Sequence, residues 1–435
     1  MSNLLQHRGL RLILTANVIS MMGSGLNAAA VTWYILQATH SETALGLMLM
    51  LQTIPAMLLL PFSGVIIDRE DRRRLVMILD ASRGIVVLTV ALLALSGSAR
   101  LWQVYAMSVL VAAGFWMFWP TMNALIQELT PESEFARANS FILAGFQGGW
   151  LIAGAIVGFV YNHIGLGGIL LIDFSTYVLS FTCYLFVRKG RHVVAPQSTQ
   201  QHESEVARFL HELREGIGYI RLRPRLLLLG SCWALFMGGM LSQGIITAPL
   251  SDRLLKAGAV GYGWLNAGWA VGACLTALLA PRVLRGTGHR RAIGLAMATL
   301  AACLFALPFV GAHLRHHFYL IAVMVSTGLM VAVAIYFVMG CSRALGGVAI
   351  TTGMMEMVPK HFMGRVQNTF YFAATTLQLG LSFAVGTAAH RMGLVYGFGM
   401  VGAVYLLACL AGTWPAREMV VSSDIGQQVA TITYK

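Results

Sequence analysis

Twelve apolar runs, each about as long as a membrane-crossing helix and each closed by a short polar break, set the pattern of this chain. They cover 12–36, 44–67, 75–95, 101–125, 138–161 and 167–187 and then, after one longer polar stretch, 226–250, 261–279, 292–310, 318–338, 366–389 and 393–414. A bilayer core about 30 Å thick is crossed by roughly 20 helical residues rising about 1.5 Å each. The pattern predicts an all-α membrane protein of 12 transmembrane helices in two pseudo-symmetric six-helix bundles. These are an N-terminal bundle over 1–188, a linker over 189–225, a C-terminal bundle over 226–415 and a tail over 416–435. The first run is of spanning length and has no small-residue cleavage site after a short core, so no cleavable signal peptide is expected.

Within the linker the period changes. Val206, Phe209, Leu210, Leu213, Ile217 and Ile220 share one helical face, while Arg208, Glu212 and Glu215 fall elsewhere. That spacing predicts an amphipathic helix along the membrane surface, either a tether between the halves or a regulatory docking site.

Composition supports the membrane reading, with 57% hydrophobic and only 11% charged residues. If the N-terminus is inside, all Lys and Arg residues lie on that side except Arg100, Arg253, Lys256, Arg315 and Arg391. The positive-inside rule then places both termini in the cytoplasm. The net charge of +13 follows from this asymmetry and from contact with anionic membrane lipids, and implies no nucleic-acid partner. Cys183, Cys232, Cys274, Cys303, Cys341 and Cys409 sit one to a helix without metal-ligand spacing, and read as packing residues. His313, His316 and His317 cluster in an outer loop and read as solvated, so no metal site is expected. No GxxxxGK[ST] loop for ATP and no enzyme site is recognisable, and no cofactor is expected.

Three features carry candidate chemistry. The stretch GVIIDREDRRR, residues 64–74, concentrates four arginines and three acids between two apolar runs. The two halves repeat a Glu-Pro-Arg pattern after their fourth helix: Glu128, Pro131, Arg137 and Asn139 in the first, Glu356, Pro359, Arg365 and Asn368 in the second. An internal repeat of this kind points to duplication, a common construction in transporters. Finally, Asp173 lies inside the sixth run, where an ionisable group is costly and therefore faces the protein interior. Two roles stay open for it: a proton carrier, or a structural carboxylate bonded to backbone, Asn162 or His163. The first run has no acid, only Asn17, Ser20, Ser24 and Asn27.

The Gly64, Asp68, Arg69, Arg72 and Arg73 pattern resembles the signature loop of the major facilitator superfamily of secondary transporters, with Asp71 in place of the usual glycine. DASRG (80–84), FWPTMNAL (118–125), ARANS (136–140), Asp173, EGIGYIRLRPRL (215–226) and GRVQN (364–368) resemble the branch of bacterial exporters that includes the enterobactin exporter and macrolide efflux proteins. The helix-five stretch has Gly149, Gly154, Ala155 and Gly158 but lacks the Gly-Pro pair common in antiporters of the superfamily.

The resemblance implies alternating access and proton-coupled efflux of a drug-like, macrolide-like or siderophore-like molecule by a monomer in a bacterial inner membrane. It places Gly64, Asp68, Arg69, Arg72, Arg73, Asp80, Arg83, Glu128, Arg137, Glu356 and Arg365 in a gate, with Glu128 or Glu132 as acceptors for the loop arginines. Helices one, four, seven and ten of this superfamily line the cavity, which nominates Asn17, Met21, Asn27, Trp116, Trp119, Asn123, Trp233, Phe236, Met237, Met240, Gln243, Tyr336 and Phe337. Broad aromatic faces and pliable methionines suit large, partly apolar ligands. A lysolipid or metabolite carrier with other coupling, or a non-transporting membrane sensor or assembly protein on the same fold, stays open beside this reading.

Overall fold

A computed structural model describes residues 8–129, 135–187, 205–313, 317–320 and 323–414. The side chains of Asp68, Arg69, Asn123, Glu128 and Arg137, position 64, all of Glu132 and His316, and the stretches 188–204 and 415–435 lie outside the described set. In chain order come α1 (Arg8–Thr39), α2 (Glu42–Arg69), α3 (Arg72–Leu95), α4 (Leu101–Leu129), α5 (Phe135–Leu185), α6 (Glu205–Arg221), α7 (Pro224–Ser242) and α8 (Gly244–Pro249). Then follow α9 (Gly258–Thr287), α10 (His289–His313), the strands β1 (His317–Leu320) and β2 (Val323–Ser326), α11 (Thr327–Met357), α12 (Lys360–Arg391) and α13 (Leu394–Thr413).

Two of these elements need regrouping before they match the apolar runs. α5 is broken at Gly165, whose φ of 63° is left-handed and suits a residue without Cβ, so it supplies two crossings. α7, α8 and the π-helical turn Leu250–Leu254 continue one another and supply one. Twelve crossings result. Ten stretches are long and apolar enough to span by length and composition among the described residues. With an even number, the start of α1 and the end of α13 lie on one side, here called the terminus side; the opposite one is the far side.

The tenth crossing differs from expectation. The run read as a helix from 318 opens instead as an antiparallel hairpin, with His317 opposite Ser326 and Leu320 opposite Val323. An apolar run rich in β-branched and aromatic residues does not by its period distinguish strand from buried helix. The helix starts at Thr327, where the Ser326 hydroxyl accepts from the Leu329 amide at 3.1 Å. Because α11 then continues to Met357, Arg343, which the sequence puts beyond the tenth span, stands near the middle of it.

Each half packs around its own core. In the first, α1 and α3 lie on α5 and α4 packs on α2 and α3; in the second, α9 lies on α11, α10 on α11 and α13, and α7 on α12 and α13. The halves meet along α2 with α12 and α5 with α9. Glycines permit both approaches. A Cβ on Gly46 would stand 2.5 Å from the Ser382 carbonyl oxygen, one on Gly386 2.6 Å from that of Glu42, and one on Gly158 would strike the Ala259 carbonyl.

α6 packs on α12 of one half and α2 of the other. Gly216 leaves room for the Arg365 carbonyl and the Thr369 hydroxyl, and Ile220 is buried. The expected single apolar face is divided: Leu213 and Ile220 turn inward, whereas Leu210 and Ile217 are exposed. The cause is that α6 rests on protein with one side and leaves a second apolar strip uncovered.

Candidate functional site

The polar residues of α1 recur at spacings of three and four, which puts Asn17, Ser20, Ser24 and Asn27 on one face. That face meets α5. Asn27 donates from Nδ2 to Asp173 Oδ2 at 2.6 Å, Ser24 and Tyr177 hydroxyls lie 3.5 Å apart, and Gly23 leaves the space that Asp173 Oδ1 and Thr176 occupy. One layer away, Arg83 pairs with Asp80 one helical turn earlier on α3, and Ser180 donates to the other Asp80 oxygen at 2.6 Å. The Arg83 guanidinium lies 4.3 Å over Phe118 and 4.9 Å over Tyr177, and its stem passes over Gly114, where a Cβ would stand 2.7 Å from it.

Asp80, Asp173, Arg83, Asn17, Asn27 and Ser20 are all buried. Arg83 pairs with Asp80, and Asp173, bonded to Asn27, is a second buried carboxyl within its electrostatic reach in the interior of the first half. Asp173 Oδ1, Arg83 Nη1, Ser20 Oγ and both polar atoms of the Asn17 side chain have no hydrogen-bond partner among the described residues. Such atoms are ordinarily met by water or by a proton.

This arrangement gives several residues nominated from sequence specific packing partners. Asp80 and Arg83 pair inside the first half, with Ser180, Phe118 and Tyr177 as their neighbours. Asn17, Met21 and Asn27 are buried; Asn27 bonds Asp173 and Met21 rests on Gly149, both of α5. Asp173 is bonded to Asn27; Asn162 is exposed and the His163 ring bonds the Phe159 carbonyl oxygen at 2.8 Å. In the second half Phe236 packs on Tyr405 with ring centroids 6.3 Å apart, Tyr336 donates to the Thr247 hydroxyl at 2.9 Å, and Gln243 is buried.

On the terminus side, Asp71 is the N-cap of α3, accepting from the Arg74 amide at 3.1 Å, which gives a physical reason for an acid at this place in the loop. Arg73 donates to the Tyr184 and Leu185 carbonyls at 2.8 and 2.7 Å, and so caps the end of α5 in its own half. Arg365 pairs with Glu215 of α6 at 3.0 Å, and Glu356 faces His289 at 3.8 Å.

An ionic contact between the halves lies at the far end. Glu42, with a fully buried side chain at the start of α2, has its carboxylate 2.6 Å from Arg253 Nη1 and 3.3 Å from His390 Nδ1, both from the second half. The Thr43 hydroxyl donates to the Gly386 carbonyl at 3.4 Å, and Trp33 lies against Tyr262 with centroids 6.1 Å apart. Nearer the centre, Trp116 of α4 meets Tyr371 of α12 edge-on at 5.8 Å, Trp233 of α7 lies 6.0 Å from the same Tyr371, and Phe115 stacks on Trp119 at 6.4 Å. This aromatic group spans both halves. Met237, Met240 and Phe337 are half-buried. Among the described residues α4 and α11 share at most a marginal contact.

Glu42, Arg253, His390, Tyr371 and Arg343 are absent from the sequence-derived site. Glu42 reads in sequence as an ordinary first-turn acid, which favours the positive end of a helix dipole. Arg343 was legible as a lone charge inside a long uncharged run, had that run been started at 327.

The family model for the Major Facilitator Superfamily matches residues 13–387. The chain is 25% identical over 433 residues to the MFS-type transporter YfiS of Bacillus subtilis, covering 97% of this chain and 98% of that protein. It is 21% identical over 418 residues to macrolide efflux protein A of Streptococcus pyogenes, covering 95% and 96%. A shorter stretch of 162 residues is 28% identical to the multidrug efflux pump Tap of Mycolicibacterium fortuitum, covering 36% and 39%. Among solved structures, a bacterial homologue of the iron transporter ferroportin in an inward-facing state superposes with a TM-score of 0.72 at 14% identity, covering 96% of this chain and 100% of the other. A POT family transporter superposes with 0.71 at 15% identity, covering 98% and 97%. Two six-helix halves, a far end sealed by residues from both and a match running through nearly the whole chain place this protein in the Major Facilitator Superfamily.

Proposed function

We propose that the protein is a proton-coupled exporter of partly apolar, drug-like molecules in a bacterial inner membrane, with both termini in the cytoplasm. The observation that carries the coupling is the buried Asp80–Arg83 pair with a second buried carboxyl, Asp173, held one layer away by Asn27, so that two carboxyls stand against one guanidinium in the charge balance. A single proton on one carboxyl brings that group to neutrality, and Asp173, held by Asn27 through one oxygen only, is the carboxyl with an oxygen to spare. Export of varied molecules is favoured by the aromatic group of Trp116, Trp119, Trp233 and Tyr371, which offers broad contact area without fixed polar demands. The relatives described as macrolide and multidrug efflux proteins support the same direction.

In this reading the conformation is closed to the far, periplasmic side by Glu42, Arg253 and His390, and transport rocks one half against the other about the sealed end. Asp173→Asn in proteoliposomes tests the coupling. Expected is loss of uptake driven by an imposed pH gradient, with gradient-free exchange of the same fluorescent drug retained. Equal gradient-driven uptake by Asp173→Asn and the unaltered protein would remove the assignment.

A further inference from the structure

Arg343 stands near the middle of α11, hence near the bilayer midplane, and is half-buried. Its guanidinium lies 4.6 Å over the Trp269 ring of α9. Its electrostatic neighbour is the Tyr405 hydroxyl of α13, which is itself buried and has no hydrogen-bond partner among the described residues. One turn further along the same face of α11, Gly347 stands against Phe236 of α7. Phe236 in turn packs edge-on against Tyr405. No carboxylate pairs with Arg343 among the described residues.

The first half contains a neutralised version of this arrangement. There Arg83 lies over Tyr177 and Phe118, and Asp80 supplies the countercharge. In the second half the arginine and the aromatic walls are present and the acid is missing. An arginine stays protonated in a protein, so the second half holds a permanent positive charge at membrane depth, with ring faces and a spare hydroxyl donor around it. A charged residue in that position ordinarily serves a substrate or ion pathway.

We infer that Arg343, with Tyr405 and Trp269, is an anion-recognising site for the transported molecule: an aromatic acid whose carboxylate, sulfonate or phosphate meets the Arg343 guanidinium and the Tyr405 hydroxyl while its rings lie on Trp269 and Phe236. Arginine presents parallel N–H donors that match such groups in a fork, which lysine does not. The inference rests on the reading of the chain as a small-molecule carrier. It narrows the substrate from drug-like molecules in general to those bearing a negative charge.

The test is equilibrium binding without any gradient, so a failure of proton coupling leaves its outcome untouched. The full protein in phosphatidylcholine nanodiscs is titrated with 2-naphthoate, 2-naphthyl phosphate and naphthalene-2-sulfonate, each against uncharged methyl 2-naphthoate, and tryptophan fluorescence is read. Expected is at least tenfold tighter binding of the anions, a preference lost in Arg343→Gln and partly kept in Arg343→Lys. Tyr405→Phe, which removes one hydroxyl and no packing, should lower the preference by a few-fold, and it serves where Arg343→Gln does not fold. Equal affinity for ester and anions, no saturable anion binding, or an anion preference unchanged in both Arg343→Gln and Tyr405→Phe would overturn the site. Displacement of naphthoate by added phosphatidylglycerol would assign the charge to lipid headgroups and overturn the substrate assignment.

Discussion

Replacing Glu42 by glutamine removes a carboxylate that both halves share at the far end and leaves its shape. At an effective dielectric of about 20, two charges 4 Å apart attract by about 4 kcal/mol before desolvation. The carboxylate is fully buried, but the Arg253 and His390 side chains are 37% and 44% exposed, which screens the pair toward surface values of about 0–1 kcal/mol. Truncating one member of a fully buried pair, by contrast, costs about 3–5 kcal/mol. With one partner buried and two partly wet, the loss falls at about 1–3 kcal/mol, a shift of roughly 5- to 150-fold toward the state open on the far side. Nitroxides at Ser98→Cys and Met392→Cys, both exposed at that end, report the opening by pulsed electron resonance in a background freed of native cysteines. A longer distance should gain population in Glu42→Gln. Exchanging the charges in Glu42→Lys with Arg253→Glu should restore the shorter one. An unchanged distance distribution in Glu42→Gln would refute the latch.

Other consequences follow from the same contacts. Arg83→Met, which strands the buried Asp80 carboxylate, should lower stability by about 3–5 kcal/mol in thermal unfolding, and adding Asp80→Leu should recover most of it, because the pair and not either charge alone fits the site. Gly158→Leu should hinder closure of α5 on α9, visible as raised far-side accessibility to a thiol reagent at Tyr262→Cys, a position buried in this conformation, since the added side chain meets the Ala259 carbonyl. Asp71→Ala removes the N-cap of α3 and should cost about 1 kcal/mol, read as a lower melting temperature with transport specificity unchanged. Glu215→Gln should change stability by no more than about 1 kcal/mol, because both it and Arg365 are partly exposed, and a double-mutant cycle with Arg365→Gln measures the coupling.

The twelve crossings and their division into two halves were legible from sequence because a bilayer demands about 20 apolar residues per helix, a length constraint written directly into composition. The burial of Asp173 was legible for a related reason: a lone acid in an apolar run has to be met inside the protein. Which partner meets it was not. Asn27 lies far from Asp173 in sequence, and only the packing of α1 on α5 brings the two together. The signature loop was visible, but the roles of Asp71 and Arg73 as helix caps depend on where α5 ends in space.

Three decisions belonged to tertiary structure alone. The start of α11 at Thr327 moved Arg343 from a loop to the bilayer midplane, because an apolar run does not announce where a hairpin gives way to helix. The far-end seal joins Glu42 to Arg253 and His390, charges of ordinary appearance whose meaning is their convergence from two halves. The aromatic group around Tyr371 likewise exists only where α4, α7 and α12 approach one another. Local sequence therefore determined what each segment is, through length, polarity and period, whereas the pairing of distant charges was fixed by how the helices pack.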